Sequence, residues 1–353
     1  MVTIYYIKLG LRSSLIPVLI DYLNDRRMKV KMNGEESVLK ALIGGSPQGT
    51  LLGQLLYIGG SEDAAEEISD ENKFKYVDDL ELIELVSLAG ALSEYDFSQH
   101  IASDVGTHQQ FLAPSTYTMQ TTLNNLTQWT EENKMEINEE KSNFMVFSRS
   151  KIDFKTRLSM NSHQLDQVKE AKLLGVYLSE DLTWSRNCKE ICRKAFSKIG
   201  MLSKLKYAGM KTEDLINIYI LHIRSGTEYC STVFHNSLTA EQDKKVESIQ
   251  KVALKVILGQ EYTSYEEALA KTSLVSLNKR REDRCLKYAL KATKHPENKL
   301  MFPLNVVESP QVTRKREEFR VNFAHTETYR RSAIPALQRI LNTHKDKDHR
   351  TTK

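Results

Sequence analysis

The chain has 353 residues and a formal net charge of +4, and 40% of its residues are hydrophobic and 27% charged. This composition is typical of a soluble globular protein, and the length favours two or three domains. No run approaches the roughly 18 apolar residues of a membrane span, and Lys8, Arg12, Pro17 and Asp21 interrupt the N-terminal stretch. The sequence therefore predicts neither a membrane protein nor a secretory signal.

The four cysteines are too few for a disulfide framework in a chain of this length. Cys188 and Cys192 lie four residues apart, but no matching His or Cys pair for zinc accompanies them. We predict reduced thiols and an intracellular protein that is not secreted.

Charge is distributed unevenly along the chain. Residues 61–84 carry ten acidic and two basic side chains, whereas 186–225 carry nine basic and three acidic, and 279–294 carry seven basic and two acidic. An acidic site flanked by basic helices suits a metal centre beside a polyanion. Each patch taken alone is equally compatible with a solvated helix surface.

The first predicted elements are a helix and a β-hairpin. Residues 12–25 have the apolar periodicity of an amphipathic helix. Residues 27–32 alternate basic and apolar side chains, which predicts a half-buried strand with a cationic face. Asn33-Gly34 predicts a tight turn into a returning strand over 37–43.

A glycine-rich loop, Gly44 to Thr50, follows and leads into a leucine-rich helix. Its glycines allow the backbone to approach a ligand closely, and Ser46 and Pro47 suit a helix cap and first turn. Such a loop at a helix N-terminus can bind an anion such as a nucleotide phosphate. Many loops share these features, so the loop alone is a weak signal.

The stretch with the clearest chemistry is residues 74–83. Apolar residues lead into Asp78 and Asp79 and an alternating run follows, which predicts a hairpin with two carboxylates at its tip. Adjacent carboxylates repel each other unless one is protonated or a cation lies between them, and Mg²⁺ prefers oxygen ligands. The pair predicts a magnesium site, with an ordinary acidic turn as the alternative.

The middle of the chain predicts one helix and several short strands. Residues 90–115 lack periodicity and are predicted to form an irregular insertion, whereas 117–132 is predicted to be helical. Short strands are predicted at 135–138, 144–147, 158–160 and 172–178.

After Trp184 the apolar pattern is helical. Beyond a first helix marked by Ile191, Ala195, Ile199 and Leu202, helices are predicted over 215–224, 241–258, 265–272 and 280–293. Residues 301–353 carry eleven basic and six acidic side chains, and the end from Asn342 is predicted to be disordered.

Four segments, in the same order, resemble motifs of the reverse transcriptases of non-LTR (LINE-type) retrotransposons. They are Ser46-Pro47-Gln48-Gly49-Thr50 (motif B, x-P-Q-G-[ST]), Tyr76-Val77-Asp78-Asp79 (motif C, Y-x-D-D), Asn138-Glu139-Glu140-Lys141-Ser142 (motif D, N-x-x-K-[ST]) and Lys172-Leu173-Leu174-Gly175-Val176 followed by Trp184 (motif E). One match alone could arise by chance, but four in the family's order are specific. The resemblance covers most of residues 11–295.

The resemblance implies an α+β fold: a partial polymerase palm with a mostly antiparallel sheet, followed by an all-α thumb and C-terminal region. The implied parts are a partial palm over 1–150, a motif E hairpin and palm–thumb junction over 151–187, a helical thumb-like region over 188–300, and a basic, partly disordered tail over 301–353.

Such enzymes extend a DNA primer along an RNA template with deoxynucleoside triphosphates, using two Mg²⁺ or Mn²⁺ ions. The resemblance implies that Asp78 and Asp79 are catalytic metal ligands and that Lys141 acts near the triphosphate. A solvated loop lysine is the alternative for Lys141. The nucleus is the compartment expected for reverse transcription at a target site, with the cytoplasm as the alternative.

The resemblance also implies three sets of nucleic-acid contacts. These are the template- or nucleotide-binding residues Pro47, Gln48, Gly49 and Tyr76, the primer grip Leu174, Gly175 and Val176, and the phosphate-binding residues Lys189, Arg193, Lys194 and Lys198.

The sequence departs from the family at motif A, an F-x-x-x-D strand whose Asp is a ligand shared by both metal ions. Only Met1–Gly10 precede the segment that resembles the approach to motif B, Leu11–Ser37, and they contain no acidic residue. The expectation is an N-terminally truncated reverse transcriptase without fingers or motif A, whose palm edge is open to a partner strand.

We therefore expect negligible polymerase activity from this chain alone. Two other hypotheses remain open: a non-catalytic nucleic-acid-binding protein that retains the basic thumb, and a partner-binding helical protein with a vestigial palm.

Overall fold

A computed structural model describes residues 11–42, 45, 49–66, 68–69, 72–85, 116–148, 156–305 and 319–351. The chain folds into two compact units, the first comprising Met1–Phe144 and Ser150–Gln167 and the second Met145–Arg149 and Val168–Lys353. The insertion predicted at 90–115, together with Pro47 and Gln48, lies outside the described residues. The finer division into four parts stays a prediction.

Helices and small, mostly antiparallel sheets are combined, which confirms the predicted α+β fold. The first unit contains α1 (Ile16–Leu23), β1 (Arg27–Met28), β2 (Lys31–Met32), β3 (Glu35–Glu36), β4 (Lys40–Ala41), α2 (Leu51–Gly60), β5 (Lys73–Tyr76), β6 (Asp79–Leu82), α3 (Thr116–Glu132), β7 (Asn143–Phe144), β8 (Ser159–Met160), β9 (His163–Gln164) and β10 (Asp166–Gln167). The antiparallel pairs are β1–β4, β2–β3, β5–β6 and β8–β9, whereas β7 pairs parallel with β10.

The hairpin predicted around Asn33-Gly34 is confirmed. These two residues have φ of 52° and 89°, the left-handed values that a two-residue hairpin turn requires. The half-buried strand predicted over 27–32 is wrong, because all six residues are exposed. Alternation specifies a strand, but burial also requires a second layer, and Met28 and Met32 remain 47% and 71% exposed.

The core of the first unit forms where α3 packs on β8 and its flanks. Leu123 and Leu126 of α3 are buried with Leu158 and Met160. The Gln120 side chain of α3 hydrogen-bonds to the backbone of β8. Its amide accepts from the Ser159 N–H and donates to the Ser159 carbonyl, each at 2.8 Å. The helix predicted over 117–132 is therefore confirmed.

The predicted short strands are only partly observed. The strand predicted over 158–160 is present as β8, and of the stretch 144–147 only Phe144 lies in a strand. Residues 135–138 form no strand. The strand predicted over 172–178 is divided into two by a turn at Leu174-Gly175.

The second unit is helical after one hairpin. It contains β11 (Glu170–Leu173), β12 (Val176–Ser179), α4 (Ser185–Tyr207), α5 (Thr212–Ile218), a π-helical stretch (Tyr219–Arg224), α6 (Ala240–Leu258), α7 (Tyr265–Thr272), α8 (Leu277–Ala292), α9 (Glu327–Arg331) and α10 (Ala333–Thr351), with helical turns at Ser225–Thr227 and Ser231–Phe234. Among the described helices of the chain, none is long and apolar enough to cross a membrane.

A large apolar core holds α4, α5 and α6 together. Its fully buried members include Leu202, Leu215, Phe234, Ile249, Leu254, Ile257 and Leu277. One polar pair is buried among them: the Tyr219 hydroxyl donates to Gln250 Oε1 at 2.6 Å. Burial raises the pKa of Tyr219, so this hydroxyl remains a neutral donor and the polar pair is satisfied.

The C-terminal segment is ordered further than the sequence predicts. Instead of a disordered end from Asn342, α10 continues to Thr351. Leu337 and Leu341 of this helix are buried against Cys285 and Ala289 of α8. The polar composition of this segment predicted disorder. The segment nevertheless contains an apolar stripe, which packs against α8.

We predict that the second unit loses stability as the pH falls from about 6.5 to 4. Burial, reinforced by the nearby Arg281 charge, lowers the pKa of His235 from 6.5 to about 4. Arg281 Nε donates to His235 Nδ1 at 3.3 Å, so a proton on Nδ1 would face a guanidinium. Within this window the unfolded chain binds a proton that the folded chain does not bind, so the free energy of unfolding should decrease by about 3 kcal/mol.

The measurement is denaturant unfolding between pH 4 and 8, in the wild type and in His235→Asn. Asparagine retains an acceptor for Arg281 but does not titrate. The variant should lose the part of the slope that His235 causes, and equal slopes in the two proteins would contradict the assignment.

Candidate functional site

The Tyr76–Asp79 turn joins β5 to β6 through two residues. Tyr76 pairs with Asp79, Lys75 with Leu80, and Val77 and Asp78 form the loop. Val77 has φ of 59°, which is unusual for a β-branched residue and costs on the order of 1–3 kcal/mol. Strain of this kind is found preferentially at functional positions.

Both carboxylates of the turn are exposed, and each raises the pKa of a nearby group. Burial raises the pKa of Tyr57 on α2, and the charge of Asp78 raises it further. Burial likewise raises the pKa of Glu81, and the charge of Asp79 adds to that effect. The charge of Asp78 thus affects a side chain of α2, and the charge of Asp79 affects Glu81 on the same hairpin.

The base of this hairpin is fixed within the first unit. Leu80 and Leu82 pack against its core. On the same side of the hairpin, Lys75 Nζ donates to the Ser61 carbonyl at 2.5 Å. The opposite face is open to solvent, with Tyr76 64% exposed. The hairpin is therefore packed against the first unit on one face and exposes Tyr76 on the other.

Lys141 lies in a short 3-10 turn, Glu139–Lys141. The Asn138 side chain accepts from the Lys141 backbone N–H at 3.1 Å, and Ser142 Oγ donates to the Asn138 carbonyl at 2.9 Å. These bonds explain the spacing of Asn, Lys and Ser in this segment. The Lys141 side chain is exposed.

The chemistry of the turn fits a divalent cation, but the ligand set is small. Asp78 and Asp79 provide the hard oxygen donors that Mg²⁺ prefers. Within the described parts of the chain, no group of three or more His, Cys, Asp or Glu side chains is arranged to hold a metal ion. The two carboxylates can contribute ligands to one ion, and a two-ion centre requires further ligands.

The β11–β12 turn contains the predicted primer-grip residues. Leu174 and Gly175 have φ of 45° and 87°, so both adopt the left-handed values of a two-residue hairpin turn. Val176 begins β12 and is buried. Gly175 and Val176 line one edge of a cleft.

This cleft, called the basic cleft below, has a volume of about 400 Å³ and lies within the second unit. Its lining includes Lys172, Gly175, Glu190, Lys194, Lys198 and Tyr229. Glu190 contributes a carboxylate to the lining, but this carboxylate is paired with Arg193 at 3.0 Å and with Arg186 at 3.6 Å. The three lysines therefore give the cleft a positive charge.

The predicted phosphate-binding residues of α4 do not form a single surface. Lys194 and Lys198 line the basic cleft, and Lys198 Nζ donates to the His222 carbonyl at 2.7 Å. Arg193 pairs with Glu190, and Lys189 lies outside the cleft lining. Sequence reasoning did not identify Lys172 and Tyr229 as part of such a site, although both lie in segments that resemble the family.

The four cations in the first half of the second basic run, 279–294, are paired with carboxylates, although only Arg281 is fully buried. Lys279 pairs with Glu282, Arg281 with Asp243, and both Arg280 and Arg284 with Glu228. Exposed lysines remain further along α8 and just beyond it, at Lys287, Lys291 and Lys294. A polyanion-binding surface, which was predicted over the whole run, is therefore available only on its last two turns.

The chain is similar in sequence to a protein of a transposon. A Drosophila melanogaster protein described as "Probable RNA-directed DNA polymerase from transposon BS" is 25% identical to it over 193 residues, which is 52% of this chain and 19% of that protein. No protein-family model and no solved structure matches the chain. The similarity supports a relationship to reverse transcriptases. Since the match spans about a fifth of the Drosophila protein, it does not transfer that protein's activity.

Proposed function

We propose, from this relationship, that the chain is the palm and thumb of an RNA-directed DNA polymerase of the non-LTR retrotransposon type. The observation that carries the proposal is the strained Tyr76–Asp79 turn, which presents two exposed carboxylates between segments that match the neighbouring motifs. The basic cleft beside the β11–β12 turn supplies a site of the opposite charge. Carboxylates for a metal and cations for a polyanion are the two components that nucleotidyl transfer on a nucleic acid needs.

The proposed roles follow the chemistry of each side chain. Asp78 and Asp79 hold a divalent ion, Mg²⁺ or Mn²⁺, which in such sites activates a hydroxyl and stabilises the charge on the leaving phosphate. Lys141 places a positive charge near the triphosphate. Tyr76 offers an exposed aromatic face for stacking.

Two further groups bind the nucleic acid. Pro47, Gln48 and Gly49 contact template or nucleotide, and Gly49 has φ of 78°, which allows close approach of its backbone. The basic cleft holds the phosphodiester backbone of a DNA primer paired with an RNA template. The nucleus is the compartment that suits this function.

We predict that the purified chain binds an RNA template–DNA primer duplex but does not extend the primer. Binding requires the basic cleft, whereas extension requires more metal ligands than Asp78 and Asp79 provide. The measurement is fluorescence anisotropy with a labelled duplex at about 50 mM salt, followed by primer extension with Mg²⁺ and with Mn²⁺.

Asp78→Asn is the matched control, because it removes one charge and preserves the shape of the turn. Its affinity for the duplex should equal that of the wild type. Extension that is lost in Asp78→Asn would contradict the expected inactivity and establish catalysis. Failure of the wild type to bind any primer–template at low salt would contradict the proposed function itself.

A second function is favoured by one observation. Among the residues that the structure describes, three lysines line the basic cleft, whereas no group of three His, Cys, Asp or Glu side chains is arranged to hold a metal ion. A non-catalytic protein that retains nucleic-acid binding accounts for both. Both proposals predict the same duplex binding, so the discriminating measurement is Mg²⁺-dependent binding of a deoxynucleoside triphosphate. The polymerase should show this binding and lose it in Asp78→Asn, whereas the non-catalytic protein should lack it.

A further inference from the structure

The β11–β12 turn is held by a tyrosine that lies far away in sequence. The Tyr229 hydroxyl donates a hydrogen bond to the Leu174 carbonyl at 2.8 Å. A Cβ added to Gly175 would lie 3.2 Å from Tyr229 Cε1, which is closer than ordinary van der Waals contact. The tyrosine ring therefore packs on the backbone of the turn, and glycine is the residue that leaves room for it.

The loop that carries Tyr229 is itself rigidly fixed. The neighbouring Glu228 side chain is only 2% exposed. Arg280 of α8 binds it with two parallel bonds, Nε to Oε1 at 2.5 Å and Nη2 to Oε2 at 3.0 Å, and Arg284 Nη1 donates to the Glu228 carbonyl at 3.2 Å. Cys230 has φ of 50°, a strained value that persists when the surroundings fix the backbone.

The β11–β12 hairpin is held at two places, along its strands by α4, where Arg186 pairs with Glu170 at 3.4 Å, and at its turn. Along β12, the Tyr177 N–H donates to Asn187 Oδ1 of α4 at 3.3 Å, and Arg186 lies over the Tyr177 ring at 5.1 Å. At the turn, the contact is made by Tyr229. A connected series of contacts runs from α8 through Glu228 and Tyr229 to the turn.

We propose that Tyr229 is a positioning residue for nucleic-acid binding: it sets the place of the β11–β12 turn so that Lys172 faces the lysines of α4 across the basic cleft. This inference rests on the proposed function, because it assigns the cleft to a phosphodiester backbone. Lys172 is carried by β11, whereas Lys194 and Lys198 are carried by α4. Their relative placement depends on how the hairpin is held.

The fixed spacing of phosphates along a strand gives this placement its effect. A lysine that is displaced from the strand path no longer makes its charge-assisted hydrogen bond, even though its own charge is unchanged. Tyr229→Phe removes the hydroxyl but keeps the ring, so it should loosen the turn without unfolding the unit. We expect duplex affinity to weaken about 3- to 10-fold, the effect of one hydrogen bond.

The test is a double-mutant cycle on affinity for the RNA template–DNA primer duplex. Tyr229→Phe, Lys172→Gln and the double variant are compared with the wild type. If Tyr229 acts by positioning Lys172, its hydroxyl should matter less than twofold once Lys172 is replaced. Tyr207→Phe, at a side chain that is 94% exposed on α4, is the matched control and should change nothing.

Amide hydrogen exchange of the free protein supplies a second readout. Exchange at residues 174–176 should accelerate in Tyr229→Phe and remain unchanged in Lys172→Gln. Additive effects in the cycle, or unchanged exchange at the turn, would overturn the inference and indicate that the hydroxyl contacts the nucleic acid directly or contributes nothing. Absence of binding by the wild type would instead overturn the proposed function.

Discussion

Replacement of Glu228 by glutamine is expected to lower the free energy of unfolding of the second unit by about 2–3 kcal/mol. The Glu228 carboxylate is almost fully buried and accepts charge-assisted bonds from Arg280, with Arg284 Nε 3.4 Å away. Glutamine has the same shape, but it cannot accept both bonds from Arg280 and leaves positive charge uncompensated. The effect stays below that of a fully buried pair because the two arginine side chains are 30% and 47% exposed.

The two tryptophans allow this loss to be assigned to one unit. Trp129 lies in the first unit, and Trp184 lies in the second, with its ring 5.9 Å from that of Phe234. In a Trp129→Phe background, the fluorescence of Trp184 reports unfolding of the second unit during urea titration. The midpoint should shift to lower urea while the slope is preserved.

Glu241→Gln is the matched control, because it makes the same chemical change on the surface. Glu241 pairs with Lys245 at 2.7 Å, but the two side chains are 77% and 64% exposed. Its replacement should change the free energy of unfolding by less than about 0.5 kcal/mol. Equal effects of the two substitutions would show that Glu228 has no special role.

This ion pair also shows what sequence patterns cannot reveal. The run 279–294 was interpreted as a charged surface because a charge count contains no information about partners. Arg280 and Glu228 are 52 residues apart, and Arg281 and Asp243 are 38 apart. Pairs at such separations are set by the packing of α8 on the rest of the unit, which local patterns do not encode.

Features confined to a few neighbouring residues were predicted well. The Asn33-Gly34 turn, the Tyr76–Asp79 hairpin and the helix 117–132 depend on local backbone preference and apolar periodicity. The burial of a strand depends instead on what covers it, so the prediction for 27–32 was wrong. The helix α10 was missed for the same reason, since its apolar stripe, with Leu337 and Leu341, is covered by α8.

In the candidate site, too, local features could be predicted and contacts between distant segments could not. The motif residues identified the turn at Asp78 and the segment that contains Gly175, but a strand was predicted over 172–178 where the structure has a turn. The contribution of Lys172 and Tyr229 to one cleft became visible only when the hairpin, α4 and the loop after the π-helical stretch were placed in space. Lys189 and Lys194 are separated because of helix geometry. Two side chains five positions apart on a helix point in clearly different directions.

Simultaneous replacement of Lys172, Lys194 and Lys198 by glutamine is expected to weaken duplex binding about 100-fold, at roughly 1 kcal/mol for each lysine–phosphate interaction that is removed. Each phosphate that a lysine neutralises releases a bound counterion, and this release makes affinity dependent on salt. The slope of log affinity against log salt concentration should therefore become shallower by about 2 to 3. The effect should be similar for different sequences, because phosphates carry no sequence information.

A charge-matched variant separates a specific cleft from general attraction. Lys287→Gln, Lys291→Gln and Lys294→Gln together remove the same three charges from exposed positions at the end of α8. If long-range attraction to a basic protein governed binding, both triple variants would change affinity and salt slope equally. If phosphates lie in the basic cleft, the salt slope of the first triple variant should fall by about 2 to 3 and that of the second by less than about 1. Equal slopes in the two variants would contradict the cleft as the binding site, because contact with phosphates, unlike net charge, depends on where the lysines are.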